Sequence, residues 1–286
     1  MKAKILITGA NGQLGQDLSY ILKNRDFTVY PCDHTSLDIT NQAQTASILN
    51  DIKPGIVIHA AAYTNVDQAE SNLDQVFAVN AYGTRNVAVA SERINAKLIF
   101  ISTDYVFNGL KKEPYHEFDS PNPLSVYGQS KLAGETFVRE FHSKFFIVRT
   151  SWLFGKYGSN FVKTMLNLGK EEKVINVVND QLGSPTYTVD LANRISEIIE
   201  TEKYGTYHIS NTGSCSWYEF AKAIFKESGM DVKMHPVSTT SFPRPAPRPK
   251  NSVFEHRSLR LNGFHKMRHW RAALKDFLSE LNGHPT

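Results

Sequence analysis

Three side chains able to do acid–base and hydrogen-bonding chemistry are brought together by one stretch in the middle of the sequence. Thr103 follows the apolar run 97–101, which predicts a strand, and Tyr127 and Lys131 begin a helix after a Pro-containing loop. Residues four apart lie one turn above each other on a helix, so the phenol and the ammonium share a face. A phenol beside a fixed cation can donate a proton near neutral pH. We therefore predict a hydride-transfer site, for which the rest of the chain must supply cofactor and substrate.

The elements that would position these groups are short apolar runs alternating with helical patterns. The runs fall at 4–8, 27–31, 55–59, 97–101, 145–149 and 174–178. This alternation predicts an α/β fold with a Rossmann-type doubly wound parallel sheet. We expect residues 1–154 and 174–203 to form this NAD(P)-binding domain. Residues 155–173 and 204–286 would form a smaller, discontinuous α/β substrate-binding lobe.

The first run leads directly into a glycine-rich turn with the spacing G-x-x-G-x-x-G. Gly9 would permit the sharp turn, Gly12 would let a pyrophosphate approach the backbone, and Gly15 would let the next helix pack on the strand. The phosphates would lie at the helix N-terminus, where free N–H groups and the helix dipole favour anions. A tight turn without a ligand is the alternative, but the position directly after the first strand favours a dinucleotide.

Two acidic residues follow the second run. An acid at this point usually binds the adenosine ribose hydroxyls, so Asp33 favours NADH, although His34, Thr35 and Ser36 could hold the 2′-phosphate of NADPH. Asp38 could contact the adenine or cap the helix that begins at residue 41, and the sequence favours neither.

Small residues at 60–62 follow the third run and would let a flat cofactor approach, with close strand–helix packing as the alternative. Asn80 lies on an otherwise apolar helical face, where we expect a buried, structural hydrogen bond. The Pro/Arg-rich segment 242–250 is either an extended connector or docking peptide, or a semi-rigid loop. As a loop, it could present Arg244 and Arg248 to a substrate diphosphate.

The composition of the 286-residue chain excludes several other classes of protein. It is 41% hydrophobic and 21% charged, with a net charge of +4 and no concentrated basic stretch. These values are unlike a disordered, membrane-spanning or nucleic-acid-binding chain. The N-terminus lacks a secretory pattern, and two distant cysteines suggest neither a disulfide framework nor a metal site. We expect a cytoplasmic protein.

With these motifs in place, the chain resembles the extended short-chain dehydrogenase/reductases that act on nucleotide sugars. Longer strings at 102–109, 149–155, 180–186 and 248–252 are similar to the dTDP-4-dehydrorhamnose reductase family, in that family's order. The resemblance covers nearly the whole chain. It implies reduction of the 4-keto group of dTDP-6-deoxy-L-lyxo-4-hexulose to dTDP-L-rhamnose with NADPH or NADH. This would be the last step of dTDP-rhamnose synthesis for surface polysaccharide.

The resemblance also implies roles for particular residues. The catalytic group would be Thr103, Tyr127 and Lys131. The cofactor would be lined by Gly12, Gln13, Leu14, Asp33, Asp38, Ile39, Ala62, Tyr63 and Thr64, to which the glycine turn adds Gly9 and Gly15, and the helix pair Tyr127 and Lys131. The sugar nucleotide would touch Thr103, Asp104 and Trp152. Tyr127 and Arg248, which was considered above, would be further contacts of the substrate.

The chemistry of these residue types fits ketone reduction. The keto oxygen becomes negative as it accepts hydride, so it must be protonated or stabilised. Tyr127 would donate the proton, made more acidic by Lys131 and the oxidised nicotinamide, while Lys131 also holds the nicotinamide ribose. Thr103 would bind the keto oxygen, and Trp152 would offer a flat apolar face to the sugar.

Several alternatives remain open at this level. A dehydratase or epimerase would share the fold and the Tyr/Lys pair, but dehydratases of this group carry two acids after the Thr, and here Asp104 precedes Tyr105. A regulatory subunit like that of methionine adenosyltransferase would tolerate loss of the pair. In some relatives a magnesium ion held by glutamates bridges a dimer. In this chain the matching region near the first helix carries Asp17 and no convincing glutamate set. We therefore predict no metal, and either a monomer or a homodimer.

Overall fold

The computed structural model describes residues 2–172 and 174–283; residues 1, 173 and 284–286, which the predicted domain ranges include, lie outside the described residues. The strands are β1 Ala3–Thr8, β2 Phe27–Cys32, β3 Ile56–His59, β4 Lys97–Thr103, β5 Phe145–Thr150, β6 Leu153–Phe154, β7 Val174–Val178, β8 Leu182–Gly183, β9 Thr186–Tyr187, β10 Gly205–His208, β11 Cys215–Ser216 and β12 Lys233–Val237. The helices are α1 Gln13–Lys23, α2 Gln42–Ile52, α3 Val66–Ala69, α4 Leu73–Phe77, α5 Thr84–Arg93, α6 Val126–Phe141, α7 Phe161–Glu171, α8 Thr188–Ile198, α9 Trp217–Glu227, α10 Arg257–Leu261 and α11 Trp270–Leu281. A π-helical segment covers Ala78–Gly83, and 3₁₀ turns cover Asp104–Val106 and Thr239–Ser241.

A six-stranded parallel sheet forms the centre of the molecule, in the order β10-β5-β4-β3-β1-β2. Successive strand residues point to opposite faces. Accordingly Ile5 and Ile7 pack in one core with Leu18 of α1, and Leu6 packs in a second core with Val87 of α5. Helices therefore cover both faces of the sheet, and the predicted Rossmann-type fold is confirmed.

One predicted strand of this sheet is wrong. The run at 174–178 forms β7, which pairs with β12 outside the six-stranded sheet, and β10 takes the sixth position beside β5. The physical reason is burial: only Ile175 and Val177 are buried in β7, whereas a strand inside a parallel sheet is covered on both faces. In β10, Tyr207 and His208 are fully buried. The division into two domains stays a prediction. In it, β10 now belongs to the NAD(P)-binding domain and β7 to the substrate-binding lobe.

A separate apolar core lies among α7, α9 and α11. Its aromatic members include Phe154, Phe220, Trp270 and Phe277. The strand pairs β7–β12, β8–β11 and β6–β9 lie outside the main sheet. None of the helices in the described residues is long and apolar enough to span a bilayer.

Candidate active site

A cavity of about 930 Å³ follows the carboxyl ends of the parallel strands, where open α/β sheets bind their ligands. It brings together almost all of the predicted site residues. Those on its wall are Gly9, Gly12, Gln13, Leu14, Gly15, Asp33, Asp38, Ile39, Ala62, Thr64, Thr103, Asp104, Tyr127, Lys131 and Trp152. Two predicted residues, Tyr63 and Arg248, are not part of the wall.

The glycine turn between β1 and α1 is shaped by close backbone contacts. Gly9 has a φ of +66°, and a Cβ there would lie 2.6 Å from the nitrogen of Ala61. A Cβ on Gly15 would lie 2.3 Å from the Gly9 oxygen, so the helix packs directly on the turn. Gly12 occupies the N-cap position, and no side chain of the described residues caps α1. The first N–H groups of α1 therefore remain available to an anion at the cavity wall.

The two acidic residues after β2 lie on the cavity wall and are held by hydrogen bonds. Asp33 accepts bonds from the backbone and hydroxyls of Ser36 and Thr35, which hold its pKa well below the usual range, and from Asn11 Nδ2 at 2.7 Å. Asp38 accepts bonds from Thr40, which lower its pKa. The N-cap of α2 is Asn41, so Asp38 does not cap this helix.

A buried asparagine fixes the segment after β3. Asn80 Oδ1 accepts a 2.8 Å bond from the backbone of Tyr63, and its Nδ2 donates to Ser130 Oγ at 3.0 Å. This side chain ties the 60–64 segment to α6, which confirms its expected structural role. The Tyr63 hydroxyl lies 3.4 Å from Gln68 Oε1. Tyr63 lies in the chain between the wall residues Ala62 and Thr64 and is not itself part of the wall.

The N-terminal part of α6 is packed tightly on the turn that follows β4. Ser125 caps the helix by accepting a bond from Gly128 N, and a Cβ on Gly128 would lie 2.3 Å from the Tyr105 oxygen. This close approach sets Tyr127 beside Thr103. Thr103 Oγ1 accepts from Tyr105 N at 3.2 Å and donates to Asp104 Oδ1 at 3.1 Å.

Burial controls the protonation of the predicted catalytic pair. It raises the pKa of Tyr127 to about 12, partly opposed by the Thr103 hydroxyl. It lowers the pKa of Lys131 to about 7, partly opposed by the charge of Glu135. Lys131 Nζ donates to the Ile101 oxygen at 2.7 Å and lies 4.1 Å from the centre of the Phe100 ring. Burial thus outweighs the acidifying effect on Tyr127 that we expected from Lys131.

A buried charge network beneath this pair was not predicted from the sequence. Glu135 accepts bonds from Arg149 Nε at 2.8 Å and Nη2 at 2.7 Å, and from Ser102 Oγ at 2.6 Å. Burial alone would raise the pKa of Glu135, but Arg149 brings it down to about 2. The signal was present, because Glu135 continues the stripe of Tyr127 and Lys131 at the same four-residue interval.

Asp104 is a second buried acid at the cavity wall. The residue is 2% exposed, and among the described residues its Oδ2 has no hydrogen-bond partner. Burial raises its pKa to about 6. A buried oxygen without a partner is unsatisfied at a cost, so a ligand hydroxyl that reached Asp104 Oδ2 would find a hydrogen-bond acceptor there.

Trp152, another residue of the cavity wall, has an unusual backbone conformation. Its φ is +48°, a left-handed conformation that costs roughly 1–3 kcal/mol for a bulky residue. Thr186 N donates to the Trp152 oxygen at 3.1 Å, and Ser151 Oγ donates to the Ser184 oxygen at 2.6 Å. These bonds hold the strained backbone and direct the indole to the cavity.

The Pro/Arg segment contacts the first half of the chain through one acid. Arg248 donates to both carboxylate oxygens of Asp67, at 2.9 and 3.0 Å, and Arg244 lies 3.9 Å from the same group. The segment is therefore anchored on α3. Because Arg248 is outside the cavity wall and paired with Asp67, its contact with a substrate remains a prediction.

The described residues contain no group of three or more His, Cys, Asp or Glu side chains that could hold a metal ion. Asp17 is buried in α1, and burial raises its pKa to about 6.

The fold and this cavity define an extended short-chain dehydrogenase/reductase. The family described as the RmlD substrate binding domain matches residues 3–282, and the chain belongs to this family, that of the dTDP-4-dehydrorhamnose reductases. It is 42% identical to the dTDP-4-dehydrorhamnose reductase of Aggregatibacter actinomycetemcomitans, over 96% of this chain and 98% of the relative. It is 43% identical to the spore coat polysaccharide biosynthesis protein SpsK of Bacillus subtilis, over 97% of both. The crystal structure of the Bacillus anthracis dTDP-4-dehydrorhamnose reductase in complex with NADP has 56% identity and a TM-score of 0.96, covering 98% of this chain and all of that one.

Proposed function

We propose that this protein is an NAD(P)H-dependent dTDP-4-dehydrorhamnose reductase. It would reduce the 4-keto group of a dTDP-4-keto-6-deoxy-L-hexose to give dTDP-L-rhamnose, for surface polysaccharide. The observation that carries the proposal is a single cavity whose wall includes the glycine turn, Thr103, Tyr127 and Lys131. The full-length similarity to reductases of this name supports the same activity.

The residues present fit a nicotinamide dinucleotide. The uncapped N-terminus of α1, at Gln13 and Leu14, would hold the pyrophosphate, and the ionised Asp33 would hold the adenosine ribose. Asp33 suits NADH, whereas the Bacillus anthracis relative was crystallised with NADP, so we propose that both NADPH and NADH are used. When bound, the cofactor supplies the hydride.

The proton would come from Tyr127. A phenol with a pKa of about 12 is protonated throughout the neutral range, which is the state that a proton donor needs. Thr103 would direct the keto oxygen toward this phenol by donating a hydrogen bond to it, for which its hydroxyl proton has to turn away from Asp104 Oδ1. Lys131 would hold the nicotinamide ribose and, when protonated, would stabilise the negative charge that develops on oxygen.

The sugar nucleotide would lie between two walls of the cavity. Asp104, with its unpartnered oxygen, would accept a sugar hydroxyl, and Trp152 would cover an apolar face of the ring. We propose Arg248 as a diphosphate contact through the guanidinium N–H groups that its bonds to Asp67 and to the Ala246 oxygen leave free.

The activity is tested by incubating the protein with the dTDP-4-keto-6-deoxy sugar, the 3,5-epimerase and either NADPH or NADH. We expect stoichiometric oxidation of the cofactor and formation of dTDP-L-rhamnose, with the two cofactors compared at equal concentration. Turnover of the sugar nucleotide without net consumption of NAD(P)H would instead indicate an epimerase or a dehydratase. No turnover, with stoichiometric capture of a partner enzyme, would indicate a regulatory subunit.

The structure favours reduction over dehydration at one position. Tyr105 follows Asp104, and its ring packs edge-on against Tyr127 with centroids 5.6 Å apart. Tyr105 stands at the position after Asp104 where the dehydratases of this group carry a second acid. We further propose a cytoplasmic location, where nucleotide sugars and reduced cofactors are made, and a monomeric or homodimeric state.

A further inference from the structure

Two tryptophans from distant parts of the chain lie face to face beside the cavity. The ring centroids of Trp152, on the cavity wall, and Trp217, at the start of α9, are 3.4 Å apart, and the ring planes are 6° from parallel. Trp217 is not part of the wall. Any effect of Trp217 on a ligand would therefore pass through Trp152.

The strand pair β8–β11 links two groups that contact the Trp152 ring, the Gly183 backbone and the Trp217 indole. A Cβ on Gly183 would lie 2.3 Å from the Trp152 ring, so the indole packs directly on the Gly183 backbone. Gly183 pairs with Cys215, two residues before Trp217. The glycine backbone and the second indole are thus set in register with each other by backbone hydrogen bonds, and together they fix one position of the Trp152 ring.

Trp217 itself is firmly held. Its Nε1 donates to Gln181 Oε1 at 3.2 Å, and Phe161 packs against it with ring centroids 4.5 Å apart. Ser216 and Glu219 form a capping box that fixes the first turn of α9, where Trp217 is the first residue. The indole is therefore a rigid platform rather than a mobile surface side chain.

We propose that Trp217 is a positioning residue for substrate binding, which holds the Trp152 indole at the place on the cavity wall where the sugar nucleotide would contact it. The inference rests on the proposed function, since it takes Trp152 as a contact of that substrate. A side chain already held in its bound orientation loses little freedom when the ligand binds. Without the stack, the Trp152 indole would sample other rotamers, and the sugar would have to select one of them.

The stack can be measured without substrate. The chain has three tryptophans, and Trp270, which is buried, stacks on His269 rather than on an indole among the described residues. Circular dichroism of the wild-type protein should show an exciton couplet from Trp152 and Trp217. Trp217→Leu and Trp152→Leu should each abolish it. Trp270→Phe is the matched control, because it removes an indole and should keep the couplet.

The kinetic test separates positioning from a general structural role. Trp217→Leu should raise the KM for the sugar nucleotide about tenfold, equivalent to about 1.4 kcal/mol. The kcat should fall less, and the affinity for NADPH should be unchanged. Trp217→Phe, which keeps an aromatic face, should restore most of the KM.

A Trp217→Leu protein that lacks the couplet yet keeps the wild-type KM would overturn the proposal. Should this variant fail to bind NADPH, and so be misfolded, Phe161→Leu loosens the same stack from outside the cavity; a weakened couplet with an unchanged KM would overturn the proposal equally. A wild-type protein that shows the couplet but does not reduce the sugar nucleotide would instead refute the proposed function, and with it the assignment of Trp152 to that substrate.

Discussion

Replacing Tyr127 by Phe tests the central assignment with the smallest possible change. The substitution removes one oxygen from the cavity wall and leaves the ring that packs against Tyr105. General acid catalysis contributes about 10²–10⁴-fold, or about 2.7–5.4 kcal/mol of transition-state stabilisation. The Thr103 hydroxyl donates a hydrogen bond to Asp104 Oδ1, so it is a poor substitute for the Tyr127 phenol as a proton donor. We therefore expect the upper half of this range, a loss in kcat of about 10³–10⁴-fold.

The assay is the initial rate of NADPH oxidation with the sugar nucleotide, together with the dissociation constant for NADPH. Binding of NADPH should be unchanged, since the glycine turn and Asp33 are untouched. Because the Tyr127 pKa is about 12, the wild-type phenol stays protonated between about pH 6 and 9. The ratio of wild-type to variant kcat should therefore be constant over this interval, even if each rate changes with pH.

Tyr105→Phe is the matched control, because it makes the same chemical change on the neighbouring ring. We expect it to lose much less activity than Tyr127→Phe, since this hydroxyl is assigned no proton transfer. Near-wild-type turnover of Tyr127→Phe, or an equal loss in both variants, would refute the role of Tyr127 as proton donor.

Three further predictions concern the buried charges. Lys131→Met should raise the melting temperature most below about pH 7 and progressively less toward pH 10. The reason is that the Lys131 pKa is about 7 in the folded state and about 10.4 in the unfolded state. A gain in melting temperature that does not depend on pH would contradict this. Asp104→Asn should stabilise the protein by about 3 kcal/mol above about pH 6 and hardly at all below about pH 4, as urea unfolding at the two pH values would show, since its folded-state pKa is raised to about 6. Glu135→Gln should cost about 3–5 kcal/mol in urea unfolding, because Arg149 is left buried without its counter-charge; a cost under about 1 kcal/mol would contradict this.

The features that the sequence predicted well are encoded by local spacing. The glycine turn is one example: the positive φ of Gly9 and the close contact of Gly15 follow from the strand–turn–helix connection itself. The Tyr127 and Lys131 pair is another, since the helical repeat alone puts both on one face. Strand ends then bring Thr103 to the same edge, because parallel strands share the direction of their carboxyl ends.

Features that depend on contacts between distant segments were missed or misplaced. The run at 174–178 has the composition of a buried strand, and only its pairing with β12 reveals one exposed face. The pairing of Arg248 with Asp67, which lies 181 residues away in the chain, was not predicted either. Neither periodicity nor composition carries information about such pairings, and a charged side chain can be satisfied equally well by a ligand or by the protein.

The catalytic stretch also shows why a short motif is not sufficient to make a site. Helix α6 is fixed to the sheet by Gly128 on the turn after β4, and by Gly134, whose Cβ would lie 2.5 Å from the Asn80 oxygen. Glu135 adds a third anchor through Arg149 of β5. These contacts join α6 to the turn after β4, to the π-helical segment and to β5, all outside the reacting groups, and together they fix the position of α6 relative to Thr103. The geometry that makes Tyr127 a proton donor is therefore a property of the packed sheet and helix, while the Tyr/Lys spacing supplies only the residues.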